Sequence, residues 1–161
     1  MTQGKTKEVD NRVNIGTKVV YYITLVISML VGLWHFFVPH MFNWYDYLPM
    51  QYENLIVGIN YTNLCFSALL FGSSLVLILL AKSAFRVNFE TLVFYTFLTA
   101  VWVFRAGLSI FMPWPLEPIP AAAIGQLIGS IVLAVLMVVV TILLWINKRA
   151  HDQESHKKVN V

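Results

Sequence analysis

The sequence predicts an all-α integral membrane protein, a bundle of four transmembrane helices with both termini on the cytoplasmic side. Three observations carry this reading. Hydrophobic residues make up 58% of the 161-residue chain and charged residues only 12%, against roughly 45–50% and about 25% in soluble domains. Mean hydropathy is correspondingly high, at +0.71. Four apolar runs each reach the roughly 20 residues that cross a ~30 Å hydrocarbon core. The basic residues, finally, collect on alternate connecting segments.

The four runs cover about 19–38, 55–80, 91–112 and 121–146. Helix is the form lipid permits, because hydrocarbon offers no partner to an open backbone group. The first run is longer than the roughly 7–15 residues of a signal-peptide core and has no A-x-A site after it, so it reads as a retained helix. Residues 1–18 form a polar arm, and 147–161 a polar tail expected to be frayed. The loop 39–54 is rich in aromatic residues, and 113–120 (PWPLEPIP) has four prolines in eight residues, a density that no helix accepts.

Lys5, Lys7, Arg12 and Lys18 precede the first run, Lys82 and Arg86 separate the second from the third, and Lys148, Arg149, Lys157 and Lys158 follow the fourth. Ten of eleven cations thus fall on one side and none on the other, which by the positive-inside rule is the cytoplasm of a plasma (inner) membrane. Glu8, Asp10, Glu90, Asp152 and Glu154 share that side and leave it at +5; Asp46, Glu53 and Glu117 make the other side −3. The basic excess therefore fits anionic membrane lipid and no nucleic-acid partner. The single cysteine, Cys65, excludes an internal disulfide or a CxxC redox site; within an apolar run it is expected to pack inside as a small hydrophobe.

Arg105 is the one charged residue inside a run, seven residues from the outer end of the third, or roughly 10 Å at 1.5 Å per residue. Gln126 in the fourth, Asn60 and Asn63 in the second and His35 in the first lie at similar depth. Intramembrane polar groups are costly and mark functional sites by default. The expected site is therefore an outward-facing polar pocket for a small anionic ligand or lipid headgroup. Arg105 is its charge partner, His35, Asn60, Asn63 and Gln126 its hydrogen-bonding groups, and Asp46, Glu53 and Glu117 its rim. Helical phase agrees: Thr24, Ser28, Gly32 and His35 share a face, as do Glu53, Asn60, Ser67 and Ser74, and Thr91, Tyr95, Leu98, Trp102 and Arg105.

Two other readings compete. The polar layer is interhelical glue if the chain is an accessory subunit, with Ala121, Gly125 and Gly129 as a small-residue ladder for a partner or a second copy. Alternatively His35, with Asp46 or Glu53, is the acid/base of an enzyme acting on a lipid or isoprenoid. No cofactor and no metal is expected. Haem needs two axial ligands on facing helices, whereas His35 is alone within a span and His40 lies beside it; His40, Asp46 and Glu53 match no ligand spacing. Trp34, Trp44, Tyr45, Tyr47, Tyr52, Trp114 and Trp145 read as an interfacial belt, and the sequon at Asn60 is set aside because it falls within a span.

Charge sorting makes a direct prediction. In a Cys65→Ser background, a membrane-impermeant thiol reagent added to intact cells should label an Asp46→Cys variant. It should leave Ser83→Cys and Ser155→Cys unlabelled until the cells are lysed; the reverse pattern inverts the topology.

Overall fold

The structure, a computed structural model, describes residues 13–48, 51–114 and 120–159. All regular structure among them is helical: α1 (Ile15–His35), α2 (Val38–Met41), α3 (Trp44–Tyr47), α4 (Glu53–Leu79), α5 (Ala81–Phe85), α6 (Phe89–Phe111) and α7 (Pro120–Val159). Four of these, α1, α4, α6 and α7, are long and apolar enough to cross a membrane. Glu117 and the centre of the proline-rich loop lie outside the described residues, as do positions 1–12 of the arm.

The chain divides into two compact units, one of residues up to Thr24 with those from Leu80 onward, the other Leu25–Leu79. In the first, α6 packs along α7. Leu92, Tyr95, Leu98 and Trp102 on α6 and Leu133, Met137, Val140 and Leu144 on α7 are buried. Cross-helix hydrogen bonds tie the pair: Trp145 Nε1 donates to Thr96 Oγ1 at 3.0 Å, and the Thr99 and Thr141 hydroxyls meet at 2.9 Å. The start of α1 joins them through Tyr21, whose ring stacks on Tyr95 at 4.8 Å and meets Phe85 edge-on at 5.2 Å. Thr24 donates to the Tyr21 carbonyl, so at 3.2 Å the Tyr95 hydroxyl donates to Thr24.

Between α5 and α6 the chain reverses in a few residues. Val87 N donates to Ala84 O at 3.0 Å and Asn88 N to Ser83 O at 3.2 Å, the paired bonds of a Schellman C-cap. That motif puts Val87 at φ 55°, a left-handed position usually held by glycine and strained for a β-branched residue. Val87 is buried, and Asn88 caps α6 by accepting from Thr91 N at 3.1 Å, so the turn is held from both sides.

In the second unit, the later part of α1 lies against α4. Ser74 Oγ donates to Ser28 Oγ at 2.8 Å. A Cβ added at Gly32 would stand 2.5 Å from Phe71 N and 2.9 Å from Phe71 Cα, so glycine is what lets these backbones approach. The expected face Thr24, Ser28, Gly32, His35 is buried throughout. After α1 the aromatic loop forms two short helices. Pro39 sits in the first turn of α2, where its missing N–H costs nothing, and Asn43, left-handed at φ 49°, turns the chain into α3.

Three expectations are corrected. Helix α1 begins at Ile15, inside the supposed polar arm, because Asn14 Oδ1 accepts from Gly16 N at 3.0 Å and caps it. The tail is helical as far as it is described: α7 continues to Val159. Once an apolar helix exists, each added residue needs only propagation and no new nucleus. Lys148 also donates to both Asp152 oxygens one turn on, which holds that carboxyl below the usual carboxylate range. Cys65 is exposed, not packed inside; in a membrane helix the outward face is as apolar as the inward one, so apolar neighbours do not identify the inside.

Gly32→Ala should therefore destabilise the protein by about 1–3 kcal/mol or more, the usual cost of overpacking, and lower its melting temperature in detergent. Gly125→Ala, where nothing lies within 4 Å of the added Cβ, should leave melting unchanged or raise it. Equal effects of the two would contradict the close approach at Gly32.

Candidate functional site

The predicted polar residues fall into two groups, one in each unit. In Leu25–Leu79, the two asparagines are already engaged. Asn63 Nδ2 donates at 2.9 Å to the carbonyl of His35, the last residue of α1. A helix C-terminus leaves its final carbonyls without intrahelical donors, so Asn63 closes the end of α1 from the neighbouring helix. Tyr45 OH donates to Asn60 Oδ1 at 2.9 Å and anchors α3, hence the aromatic loop, to α4. The His35 ring is buried, edge-on to Phe66 at 5.5 Å and tilted against Trp34 at 5.4 Å. These contacts position the loop and the end of α1.

Asp46 and Glu53 are exposed. Glu53 borders an open concavity of about 580 Å³ lined by the consecutive residues Gln51, Tyr52, Glu53, Asn54 and Leu55. Among the described residues its lining comes from one stretch of chain, so none of their other elements encloses a ligand there. Glu117 is outside the described residues.

The unit containing α6 and α7 is different. Arg105 lies on α6, six residues before its end at Phe111. It is neither buried nor exposed but intermediate, while its neighbours on the inward face, Trp102, Ala106 and Ser109, are buried. The guanidinium carbon stands 5.5 Å from the centre of the Trp102 ring, within the range of a cation–π contact. Ser109, one turn on, donates to the Arg105 carbonyl at 3.0 Å. Ser109 also lines a recess of about 80 Å³ with Pro113, Trp114, Ala123, Ile124, Gln126 and Leu127. Two of the five predicted site residues, Arg105 and Gln126, thus belong to the α6–α7 pair near one small cavity, Gln126 in its wall and Arg105 one turn from Ser109.

Sequence reasoning missed Ser109 and underused Trp114. Ser109 was legible by spacing, four residues after Arg105, but a lone serine near a helix end carries no signal of its own. Trp114 was read as part of the interfacial belt, a role compatible with forming a wall. The ladder Ala121, Gly125, Gly129 is exposed, with open space above both glycines; it contributes nothing to the α6–α7 contact. Trp145, also assigned to the belt, donates across to Thr96. Among the described residues no three His, Cys, Asp or Glu side chains come together as a metal site would require.

No protein-family model, no curated protein and no solved structure matches this chain.

The contacts predict which residues serve the fold. Asn63→Ala removes the donor to the His35 carbonyl and should cost about 1 kcal/mol, in the range of interhelical bonds in membranes. Tyr45→Phe should loosen the aromatic loop, seen as faster proteolysis between α2 and α4, with little change in global melting. Unchanged melting in Asn63→Ala would return Asn63 to the candidate ligand set.

Proposed function

We propose that the chain is a multi-pass protein of the plasma (inner) membrane, with both termini cytoplasmic. On this reading α6 and α7 hold a small anion, free or as the phosphate of a lipid headgroup, near their outer ends. The observation that carries the reading is Arg105, a cation partly withdrawn into α6 one turn from Ser109, which with Gln126 borders a mainly apolar recess. Insertion scales put a guanidinium at the centre of a membrane helix at about 2.5–3.5 kcal/mol, and the cost falls toward the helix end. A bound anion offsets that cost through charge-assisted hydrogen bonds, which the planar guanidinium donates in pairs.

The size of the recess limits the occupant. About 80 Å³ is space for two or three waters at roughly 30 Å³ each, and far below the ~300–1,000 Å³ of sites that enclose a whole organic ligand. The ligand on this reading is a small inorganic or carboxylate anion, or a phosphate whose lipid tails stay outside. The exposed Ile124 and Ile128 of α7 offer such tails an apolar surface. The Gln126 amide supplies neutral hydrogen bonds, and the Trp102 ring limits where the guanidinium turns.

A second reading, the accessory subunit, is favoured by a separate observation. Asn60 and Asn63 already hydrogen-bond within the fold, and the ladder Ala121, Gly125, Gly129 faces outward. A partner helix or a second copy would then lie on that ladder.

Native mass spectrometry of the chain, extracted gently from its own membrane, separates the two. The parent should carry a small-molecule or lipid adduct, and Arg105→Gln should lose it by roughly 10-fold or more, the cost of deleting a charged hydrogen-bonding partner. Arg105→Lys, which keeps the charge and loses the fork, should fall between. An adduct that survives Arg105→Gln removes Arg105 from the site, and a parent without an adduct favours the accessory reading.

A further inference from the structure

A second anion site follows from the other end of α6, from residues the reading of Arg105 does not use. Phe85, the last residue of α5, is buried, and Lys18 and Tyr22 of α1 meet its ring. Lys18 Nζ lies 5.4 Å from the centre of its ring. Tyr22, one turn after Lys18, meets the same ring edge-on at 5.8 Å. Lys82 and Arg86 flank Phe85 in sequence and are both exposed. We infer that Lys18, Lys82 and Arg86, arranged around Phe85 and Tyr22, form a binding site for the headgroup of an anionic phospholipid.

Four observations support a ligand rather than a solvated charged face. Lys82 and Arg86 stand four residues apart, the spacing at which like charges on a helix repel. Neither forms an ion pair among the described residues, whereas Lys148 on α7 is engaged by Asp152. The backbone that carries them is fixed, because the Schellman turn at Val87, the cap at Asn88 and the Thr91–Ser83 hydroxyl bond at 3.0 Å lock α5 onto α6. Finally, an apolar path leads away from the cations. Val19, Tyr22 and Ile23 are exposed along α1, and acyl chains lie naturally on such a ridge while Tyr22 sits at headgroup level, as membrane tyrosines do.

This arrangement selects for lipid over a dissolved anion. A phosphodiester held by the three cations places its glycerol and chains along Tyr22 and Val19, which a free phosphate does not occupy. Glu90, exposed in the first turn of α6, is the nearest acid in sequence to Arg86 and sets an electrostatic limit. A monoanionic phosphodiester is favoured over a headgroup that carries its own cation, since the zwitterion offers the cluster no net charge.

The test uses the whole chain in detergent micelles. Native mass spectrometry follows titration with palmitoyl-oleoyl phosphatidylglycerol, with palmitoyl-oleoyl phosphatidylcholine as the zwitterionic control. The parent should retain phosphatidylglycerol in preference. The Lys82→Gln/Arg86→Gln double variant should lose that preference by roughly 10-fold or more, at about fivefold for each cation removed from an anionic surface. Two variants give the controls. Arg149→Gln/Lys157→Gln removes the same charge elsewhere and should stay within about twofold of the parent. Lys82→Arg/Arg86→Lys keeps the charge and should bind as the parent does. Equal losses in the two neutralised variants would mean that net charge alone attracts the lipid, and no loss in either would mean that α5 is not the site. Displacement of the lipid by millimolar inorganic phosphate would also overturn the proposal, in favour of a dissolved anion.

Discussion

The structure depends on one constraint: inside hydrocarbon, a polar group finds its partner within the protein or carries the full cost of having none. The backbone meets it by being helical. The hydroxyls meet it by a repeated device. Thr62, Ser67, Thr96, Ser109 and Thr141 each donate to the carbonyl four residues earlier on their own helix. The proton is thereby satisfied locally, and the oxygen remains as an acceptor for a neighbour. Trp145 uses Thr96 in this way, and Tyr95 uses Thr24, whose own proton goes to Tyr21. Serine and threonine therefore join helices without adding an unsatisfied donor. They do so at small energetic gain, since such bonds average about 0.6 kcal/mol in membranes. Their main effect is to fix which faces meet.

Charges cannot be satisfied this way, and their distribution follows. Most cations lie beyond the ends of the apolar runs, where water or headgroups solvate them. Arg105 is the exception, held between ends with its charge beside the Trp102 ring. Lys18 is the milder case, with its ammonium over Phe85 at the opposite end of α6. Both use an aromatic face as a partial replacement for water. An aromatic face supplies only part of what hydration gives, roughly 0.5–2 kcal/mol. The two ends of α6 therefore pose the same electrostatic problem at different depths.

Much of this was legible in the sequence. The four apolar runs are the four long helices, because length and hydropathy are strong signals when no water competes. Phase was legible too: the steps of four, four and three joining Thr24, Ser28, Gly32 and His35 mark a face that is buried throughout. The ends were less so. Asn14 caps α1 five residues before the apolar run begins, and α7 outlasts its apolar run because helix propagation is insensitive to hydropathy. The glycines divide. Gly125 and Gly129 have the spacing of a contact ladder and stand in the open, whereas Gly32, unremarkable except as part of a polar face, is where two backbones touch. Spacing reports which residues share a face; only the partner's position reports whether that face is crowded.

The same distinction sorts the predicted polar layer. Depth alone made His35, Asn60, Asn63, Arg105 and Gln126 equivalent. Their contacts separate them. Asn63 closes the end of α1 and Asn60 accepts from Tyr45, so removing either would first disturb the chain itself. Gln126 instead lines a cavity, and Arg105 stands one turn from Ser109 in its wall. A side chain whose hydrogen bonds build the fold is a poor ligand donor, because binding would have to break what it already makes. One that borders a cavity gains partners without losing any. On that argument Arg105 and Gln126 are better candidates for a ligand than the asparagines of α4, which serve the fold of their own unit.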